Sequence, residues 1–460
     1  MFKGIFNDKV FLRRVSAVAL PIMVQNAITN FVSLLDNIMV GQVGQIPMSG
    51  VSIVNQLLFV FNLCIFGATS GAGIFTAQLH GSQNHKGVGY TFRFKILISL
   101  ILTALGVGIF LNWSDPLIGL YLTGEGDAAA ASGALFYGRE YLQVMLFGLL
   151  AFALSTSYSS TLRESGQTTV PMIAGIAAVA VNLVLNYILI FGRFGAPSMG
   201  VRGAALATVI SRYVELAIVA GWTHLHSAQH PFIRGVYRSP FIPRSLLFSI
   251  IRKGTPILCN EFLWSTGMAM LNQCYSTCGL DVVPAMNISS TIYNLGSVAF
   301  LSMGNSVGIL MGQMLGANTP KQEIMEYNRK LTAVSVLCGA VFGSLMIAAS
   351  GLFPMLYKAT DEVRRLAGML ICASALAMPF SAAAHAAYFT LRSGGKTIIT
   401  VIFDSGFMWC INVPLAFFLS RFTGWPILPI YAICQSLDIV KCIFGRIMVK
   451  KGTWIQNLTK

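Results

Sequence analysis

The sequence predicts an all-α polytopic membrane protein, with twelve transmembrane helices in two six-helix bundles related by a pseudo-two-fold axis along the membrane normal. Three observations predict it. Of the 460 residues 55% are hydrophobic and only 10% charged, against about 25% charged in soluble domains. Apolar stretches long enough to cross a bilayer recur about twelve times. The second half of the chain also repeats the first in register. Such a composition excludes a soluble enzyme, a disordered chain and a nucleic-acid binder. The basic excess, 31 Lys and Arg against 16 Asp and Glu, belongs in a membrane protein to its cytoplasmic loops.

A membrane helix needs about 20 mostly apolar residues. Breaks at Gly, Pro and charge clusters place the spans near 15–39, 51–79, 94–112, 136–160, 169–191, 202–224, 254–275, 285–313, 331–355, 363–389, 397–420 and 425–448. No small-residue cleavage site follows the first apolar run, so it is expected to be retained as a span. Of the Lys and Arg, 23 fall on the side of the two termini, among them Arg13, Lys86, Arg234, Arg392 and Lys450. Six fall on the other side: Arg193, Arg202, Lys358, Arg364, Arg365 and Arg421. That asymmetry predicts cytoplasmic termini. The polar, basic stretch 225–253 reads as a cytoplasmic linker between bundles at 1–224 and 254–460. All nine cysteines lie in apolar stretches without a CxxC, which points to packing rather than zinc or disulfides. Cys274 and Cys278, one turn apart, are included in that reading.

The repeat is the strongest signal. A shift of 235 places Pro21-Ile22 on Pro256-Ile257, Asn26 on Glu261, Asn37 on Asn272 and Gly44 on Gly279. In the same register Gly73 meets Gly308, Gln78 meets Gln313, Gly81 meets Gly316 and Lys86 meets Lys321. A shift of 229 aligns Thr161-Leu162-Arg163 with Thr390-Leu391-Arg392, and a shift of 223 puts Glu215 on Asp438. Chance apolar similarity does not keep register on Pro, Gly, Gln and Arg. Six spans per repeat give both halves one orientation, and substrate sites in such proteins lie between the halves near midplane. Composition and repeat together read as a two-fold secondary transporter. No G-x-x-x-x-G-K-[ST] occurs, so the expected energy source is a gradient rather than ATP.

Short motifs narrow this further. Leu20-Pro21 opens the first span, and Asp36-Asn37-Ile38-Met39-Val40-Gly41 closes it. Ala77-Gln78 with Gly81, Leu162-Arg163 with Ser165-Gly166, Asn182-Leu183-Val184-Leu185-Asn186, and Gly203-Ala204-Ala205 with Ala207-Thr208 follow. In order and spacing these resemble the multidrug and toxic compound extrusion (MATE) family over essentially the whole chain. The resemblance implies a V-shaped pair of bundles working by alternating access. It also implies export of bulky, often cationic amphipathic compounds in exchange for sodium ions or protons.

An ionised side chain at the bilayer centre costs at least about 2.5–3.5 kcal/mol, so it normally faces a cavity. Asp36 shares a helical face with Gln25 and Thr29, beside a stripe of Asn26, Asn30 and Asn37, an amide-rich surface expected to line water. The resemblance makes Asp36 the coupling-ion ligand of the first bundle. Asn182 and Asn186, with Thr208 on the next span, add oxygens suited to a hard cation such as sodium. Some family members carry a second aspartate where this chain has Asn186, which leaves sodium and proton both open here.

In the second half Glu261 shares a face with Ser265, Met268 and Asn272, with Trp264 beside it. Charge, cation–π contact and soft packing suit an organic cation. His385 can protonate near neutral pH or serve as a hydrogen-bonded structural residue. Asp404 faces Gly175 in the repeat and is a candidate ion or cargo group. Gln25, Asn26, Glu261, Trp264, Met268, Asn272, His385 and Asp404 are therefore expected to line the cargo cavity. Glu215 and Asp438, three residues from Arg212 and Lys441, read as structural ion pairs along their own helices.

The expected partners are small organic molecules and the lipid bilayer, without nucleic acid. The expected protein is a monomer in the plasma (inner) membrane, not an enzyme, with no cofactor beyond the coupling ion. Three rival readings exist. A flippase of a lipid-linked precursor would favour a basic cavity, whereas acids without buried unpaired Lys or Arg favour a cationic cargo. A major-facilitator carrier would show an acidic, Arg-rich loop where this chain reads Gly81-Ser82-Gln83-Asn84-His85-Lys86-Gly87. An intramembrane transferase would need clustered Asp, or His beside Asp.

Overall fold

The computed structural model describes residues 8–122, 128–279, 281–357 and 359–459, less the side chains of 32–34, 37, 38 and 128. Lys358 and the side chain of Asn37 therefore lie outside the described residues. Twelve long helices account for most of the rest. They are α1 Lys9–Gly41, α2 Gln45–Gly81, α3 His85–Leu122, α4 Ala128–Glu164, α5 Thr169–Phe191, α6 Gly200–Leu225, α7 Arg244–Ser276, α8 Val282–Gly316, α9 Lys321–Ala349, α10 Asp361–Ser393, α11 Thr397–Phe422 and α12 Ile427–Lys451.

Each expected span has its own helix, and most helices run past their apolar stretch. At 1.5 Å per residue the 38 residues of α3 exceed a hydrocarbon core of about 30 Å. The ninth expected span overshoots instead. α9 ends at Ala349 and a 3₁₀ turn at Phe353–Leu356 follows, because Gly351 and Pro354 end the helical run. Large side chains left exposed, such as Phe147 at 72% and Leu345 at 59%, would be anomalous in water. On membrane helices they face lipid, and this chain is a multi-pass membrane protein.

Local backbone chemistry follows the repeat. Pro21 lies inside α1 and its mate Pro256 inside α7. Left-handed residues recur at mated positions: Gln83 (φ 58°) with Asn318 (φ 55°), and Gly166 (φ 84°) with Gly395 (φ 73°). α3 is kinked at Trp113 (φ −126°, ψ 21°), three residues before Pro116, whose ring displaces the carbonyl one turn earlier. α11 is the irregular helix. Its residues Ile402–Gly406 and Met408–Asn412 wind as π turns.

By backbone proximity the chain forms two compact units. One comprises Val24–Thr76 and Asn84–Ile251; the other comprises Met1–Met23, Ala77–Gln83 and Arg252–Lys460. In the first, α3 packs on α4, α4 on α6 and α5 on α6, around Val54, Phe61, Leu142 and Ala205. In the second, α9 packs on α10 and α10 on α12, the same partnerships as α3 on α4 and α4 on α6. Its apolar cluster includes Val15, Ile22, Met311, Leu331 and Trp454.

Two local devices tie down segments. In the first unit the stretch 226–243 lies against α3, where Arg93 donates to the carbonyls of Val236 (2.7 Å), Phe241 (2.9 Å) and Gly235 (3.0 Å). In the second, the ends of α2 and α8 approach reciprocally. A Cβ on Gly81 would lie 2.0 Å from the Gln313 carbonyl oxygen, and one on Gly316 1.8 Å from that of Gln78. Glycine is required at both, so these glycines serve close packing.

Candidate functional site

In the first unit α1, α2, α4, α5 and α6 enclose a cavity of about 290 Å³. Polar side chains reach it because they stand in otherwise apolar helices with nowhere else to be solvated. Asp36 is at one side. Asn186 Nδ2 donates to Asp36 Oδ1 at 2.6 Å, and Asn186, Asn182 and Thr208 are linked at 3.2 Å. With the Asn182 amide turned over, its nitrogen donates to both Asp36 oxygens (2.9 and 3.1 Å) and its oxygen accepts from Thr208 (3.2 Å). This orientation gives Asp36 a second amide donor at the cost of the bond from Asn186 to Asn182. Asn186 Oδ1 then remains buried without a hydrogen-bond partner among the described residues. The four residues expected at a cation site are thus brought together, with one acceptor left over.

Gln25, Asn26 and Thr29 line the same cavity. Gln25 is buried, and its Oε1 accepts from Arg163 Nη2 at 2.6 Å. Gly175 on α5 makes room for it, since a Cβ there would stand 2.8 Å from Gln25 Nε2. Glu215 pairs with Arg212 at 3.0 Å, as the spacing on α6 predicts, yet both belong to the cavity wall. Two acids and two arginines therefore border this space. Arg163 is the residue that local spacing did not single out, and Arg212 was read only as the partner of Glu215. The repeat of Leu162-Arg163 at Leu391-Arg392 was the available signal.

In the second unit, Asn260 and Asp404 occupy the positions that Gln25 and Gly175 hold in the first. Where the first half leaves a gap for a long amide, the second fills it with a carboxylate. Asn260 Nδ2 donates to Asp404 Oδ2 at 3.1 Å and lies 3.3 Å from the Tyr388 hydroxyl. Ser405 Oγ donates to the Asn260 carbonyl (2.9 Å) and to its Oδ1 (2.7 Å). The ammonium of Lys441 is bonded to Asp404 Oδ1. This corrects the expected pairing of Lys441 with Asp438 along α12. Asp438 instead accepts from Ser381 of α10, and a tertiary partner on α11 wins the lysine.

His385 Nδ1 is 2.8 Å from the Ser381 carbonyl, and its ring lies 4.9 Å from that of Phe300. Glu261 is half-buried on α7, within electrostatic reach of Arg392 and Asp404. Trp264 and Met268 are half-buried against the cluster of Leu271, Met408 and Val413, while Asn272 is exposed. The described contacts thus gather Glu261, His385 and Asp404 in one region and leave Trp264, Met268 and Asn272 further along α7. Lys95, fully buried in the first unit, bonds Glu164 at 2.5 Å together with Ser160 and Thr161. The expectation concerned buried unpaired Lys or Arg: Lys95 pairs with Glu164 and Lys441 with Asp404, and Arg163 Nη2 is bonded to Gln25 while its Nε has no hydrogen-bond partner among the described residues.

This architecture matches known proteins over nearly its whole length. The sequence profile of the MatE family covers residues 21–188 and 256–418, one stretch in each repeat. The chain belongs to the MatE family of transporters. This MATE transporter is 26% identical over 406 residues to the probable multidrug resistance protein NorM of Thermotoga maritima, covering 88% of this chain and 84% of that one. It is 24% identical over 417 residues to the multidrug resistance protein PmpM of Pseudomonas aeruginosa, covering 90% and 85%. Its fold superposes on an outward-facing multidrug resistance MATE transporter of the MOP superfamily with a TM-score of 0.85 at 18% identity, over 95% and 96% of the two chains. A Pyrococcus furiosus MOP superfamily transporter, described as having a binding pocket of reversed polarity, gives 0.82 at 17% identity over 95% of each chain. These likenesses establish the twelve-helix, two-bundle fold of this MATE transporter.

Proposed function

We propose that this protein is a secondary active multidrug exporter. It moves bulky, often cationic amphipathic compounds across the plasma (inner) membrane by antiport against sodium ions or protons, through alternating access, with both termini in the cytoplasm. Relatives named multidrug resistance proteins support the export reading. The observation that carries the antiport reading is Asp36, a carboxylate inside a membrane helix, ringed by amides at a cavity wall. Among the described residues no Lys or Arg lies within ion-pair distance of it, so its charge calls for a mobile cation.

The ring also supplies a way to admit one. An Asn amide presents two donors on one end and an acceptor on the other. With nitrogens inward, Asn182 and Asn186 satisfy an empty carboxylate. Turned about the last side-chain bond, they offer oxygens to a cation without moving the backbone. Oxygen donors from Asp36, Asn182, Asn186 and Thr208 fit sodium, and the same carboxylate takes a proton equally well. Cargo would enter the adjoining cavity, whose volume lies near the lower end of small-molecule sites at roughly 300 Å³.

A second reading has one observation of its own. Arg163 and Arg212 border the same cavity, and guanidinium groups suit phosphate, as flipping of a lipid-linked precursor would require. Reconstitution separates the two. In liposomes loaded with a fluorescent lipophilic cation, sodium and proton gradients are imposed separately on wild type, Asp36→Asn and Glu261→Gln. Movement driven by one gradient and abolished in Asp36→Asn supports antiport and names the ion. No gradient-driven movement of several such cations, together with redistribution of a lipid-linked diphosphate, would overturn it in favour of flipping.

A further inference from the structure

The two halves share one plan and differ most sharply at Asp404 and Lys441. At the mated positions the first half has Gly175 and Ile218. Neither charge is therefore required by the helical frame, and among the described residues the only ion pair that either makes is with the other. A buried ion pair seldom stabilises a fold more than apolar residues of similar volume, and the first half manages without one. The pair belongs to one half only, which points to a purpose other than packing.

Two independent observations point the same way. α11 winds as a π turn at Ile402–Gly406, around Asp404, a distortion that concentrates at functional sites. Asn260, which completes the bonding of Asp404 and is itself held by Ser405, directly precedes Glu261. The pair is thus built in beside Glu261, the carboxylate expected to meet cargo. His385 lies within electrostatic reach of both members. At Asp36, by contrast, the neighbours in contact are neutral amides.

We propose that Lys441 is a built-in counter-cation. Its ammonium holds Asp404 in the place that a sodium ion or proton takes at Asp36, so the second half takes up no coupling ion at Asp404. The cation site at Asp36 then has no duplicate at Asp404. This rests on the antiport reading of Asp36. Lysine suits the role because its charge is a compact point on a flexible stem, the side-chain group most like a monovalent ion.

The test is a count of bound cations on purified full-length protein in lipid nanodiscs, using equilibrium sodium-22 binding and, in parallel, proton uptake in a pH-stat. Lys441→Met is expected to bind one cation more per chain than wild type, as sodium or as a proton. Asp404→Asn/Lys441→Met is expected to return to the wild-type count. No increment in a Lys441→Met protein that melts cooperatively overturns the proposal. Asp404→Asn alone supplies a control that does not depend on that variant folding: an unchanged count supports the proposal, and a loss of one cation overturns it. Asp36→Asn tests the underlying reading separately. If it binds as many cations as wild type, coupling at Asp36 fails, while the Lys441 increment still decides the role of Asp404.

Discussion

Gly175 and Asp404 stand at one position of the repeat, and a single side chain decides what each half holds there. In the first half Gln25 fills the space over Gly175 and receives Arg163. Gly175→Ala places a methyl 2.8 Å from Gln25 Nε2, which forces the glutamine away and loosens Arg163. Overpacking of this kind costs about 1–3 kcal/mol, so the variant should melt earlier than wild type in a thermal-shift assay. An unchanged melt would show that Gln25 relaxes freely. Asp36→Ala should be worse tolerated than Asp36→Asn, because it leaves the Asn182 and Asn186 amides facing a void. Each buried donor left unpaired costs about 1–3 kcal/mol, and the same assay ranks the two. Asp36, Asn182, Asn186 and Thr208 were legible in the sequence because polar groups in apolar helices have few other roles. Lys441 and Asn260 were not. Spacing along one helix assigned the lysine to Asp438, and only packing against α11 reveals the carboxylate it meets.

Helix number and order were legible for the same reason that boundaries were not. Hydropathy reports where lipid begins, while helices end where the backbone is capped. α10 is capped by Thr360, whose side chain accepts from the Val363 amide at 3.3 Å, with Asp361 and Glu362 in the first turn placed to favour the helix dipole. The π winding of α11 left no trace in composition. The segment after α6 read simply as polar, yet it is anchored by Arg93 and by aromatic packing of Trp222 with His226 and His230. Burial, then the nearby His226, holds the His230 imidazole below its ordinary value of 6.5. A histidine kept neutral in the folded state contributes stability that is complete above 6.5 and is lost as pH falls through its lower folded value. Protection factors of amides in 226–243, with exchange corrected for its intrinsic pH dependence, should therefore fall as the pH drops below 6.5, and His230→Gln should flatten that dependence. Equal pH dependence in both proteins would count against His230 as the cause.

At the scale of the whole chain the repeat gave the architecture before any coordinate did. Mated prolines, left-handed turns and helix partnerships all recur. What the repeat could not announce is that the start of α1 and the end of α2 belong to the compact unit of the second half. That division has a consequence for dissection. A chain cut between residues 239 and 240 should yield two fragments that accumulate only when made together, since the second unit lacks Met1–Met23 and Ala77–Gln83 on its own. Co-purification of tagged fragments, against each expressed singly, reads this directly; independent accumulation of the second fragment would oppose it.

The crossing of α2 with α8 carries a different implication. Gly81 rests on the Gln313 carbonyl and Gly316 on that of Gln78, so each partner presents to the other the patch it receives. That is the contact of a symmetric homodimer, here formed between two parts of one polypeptide. In a dimer of identical chains a substitution at an isologous contact is felt twice, and neither side can change alone. Fusion lifts that restriction everywhere. Asp404, Lys441 and Glu261 mark where the halves differ in charge, and the paired glycines mark a place where sterics hold the halves alike.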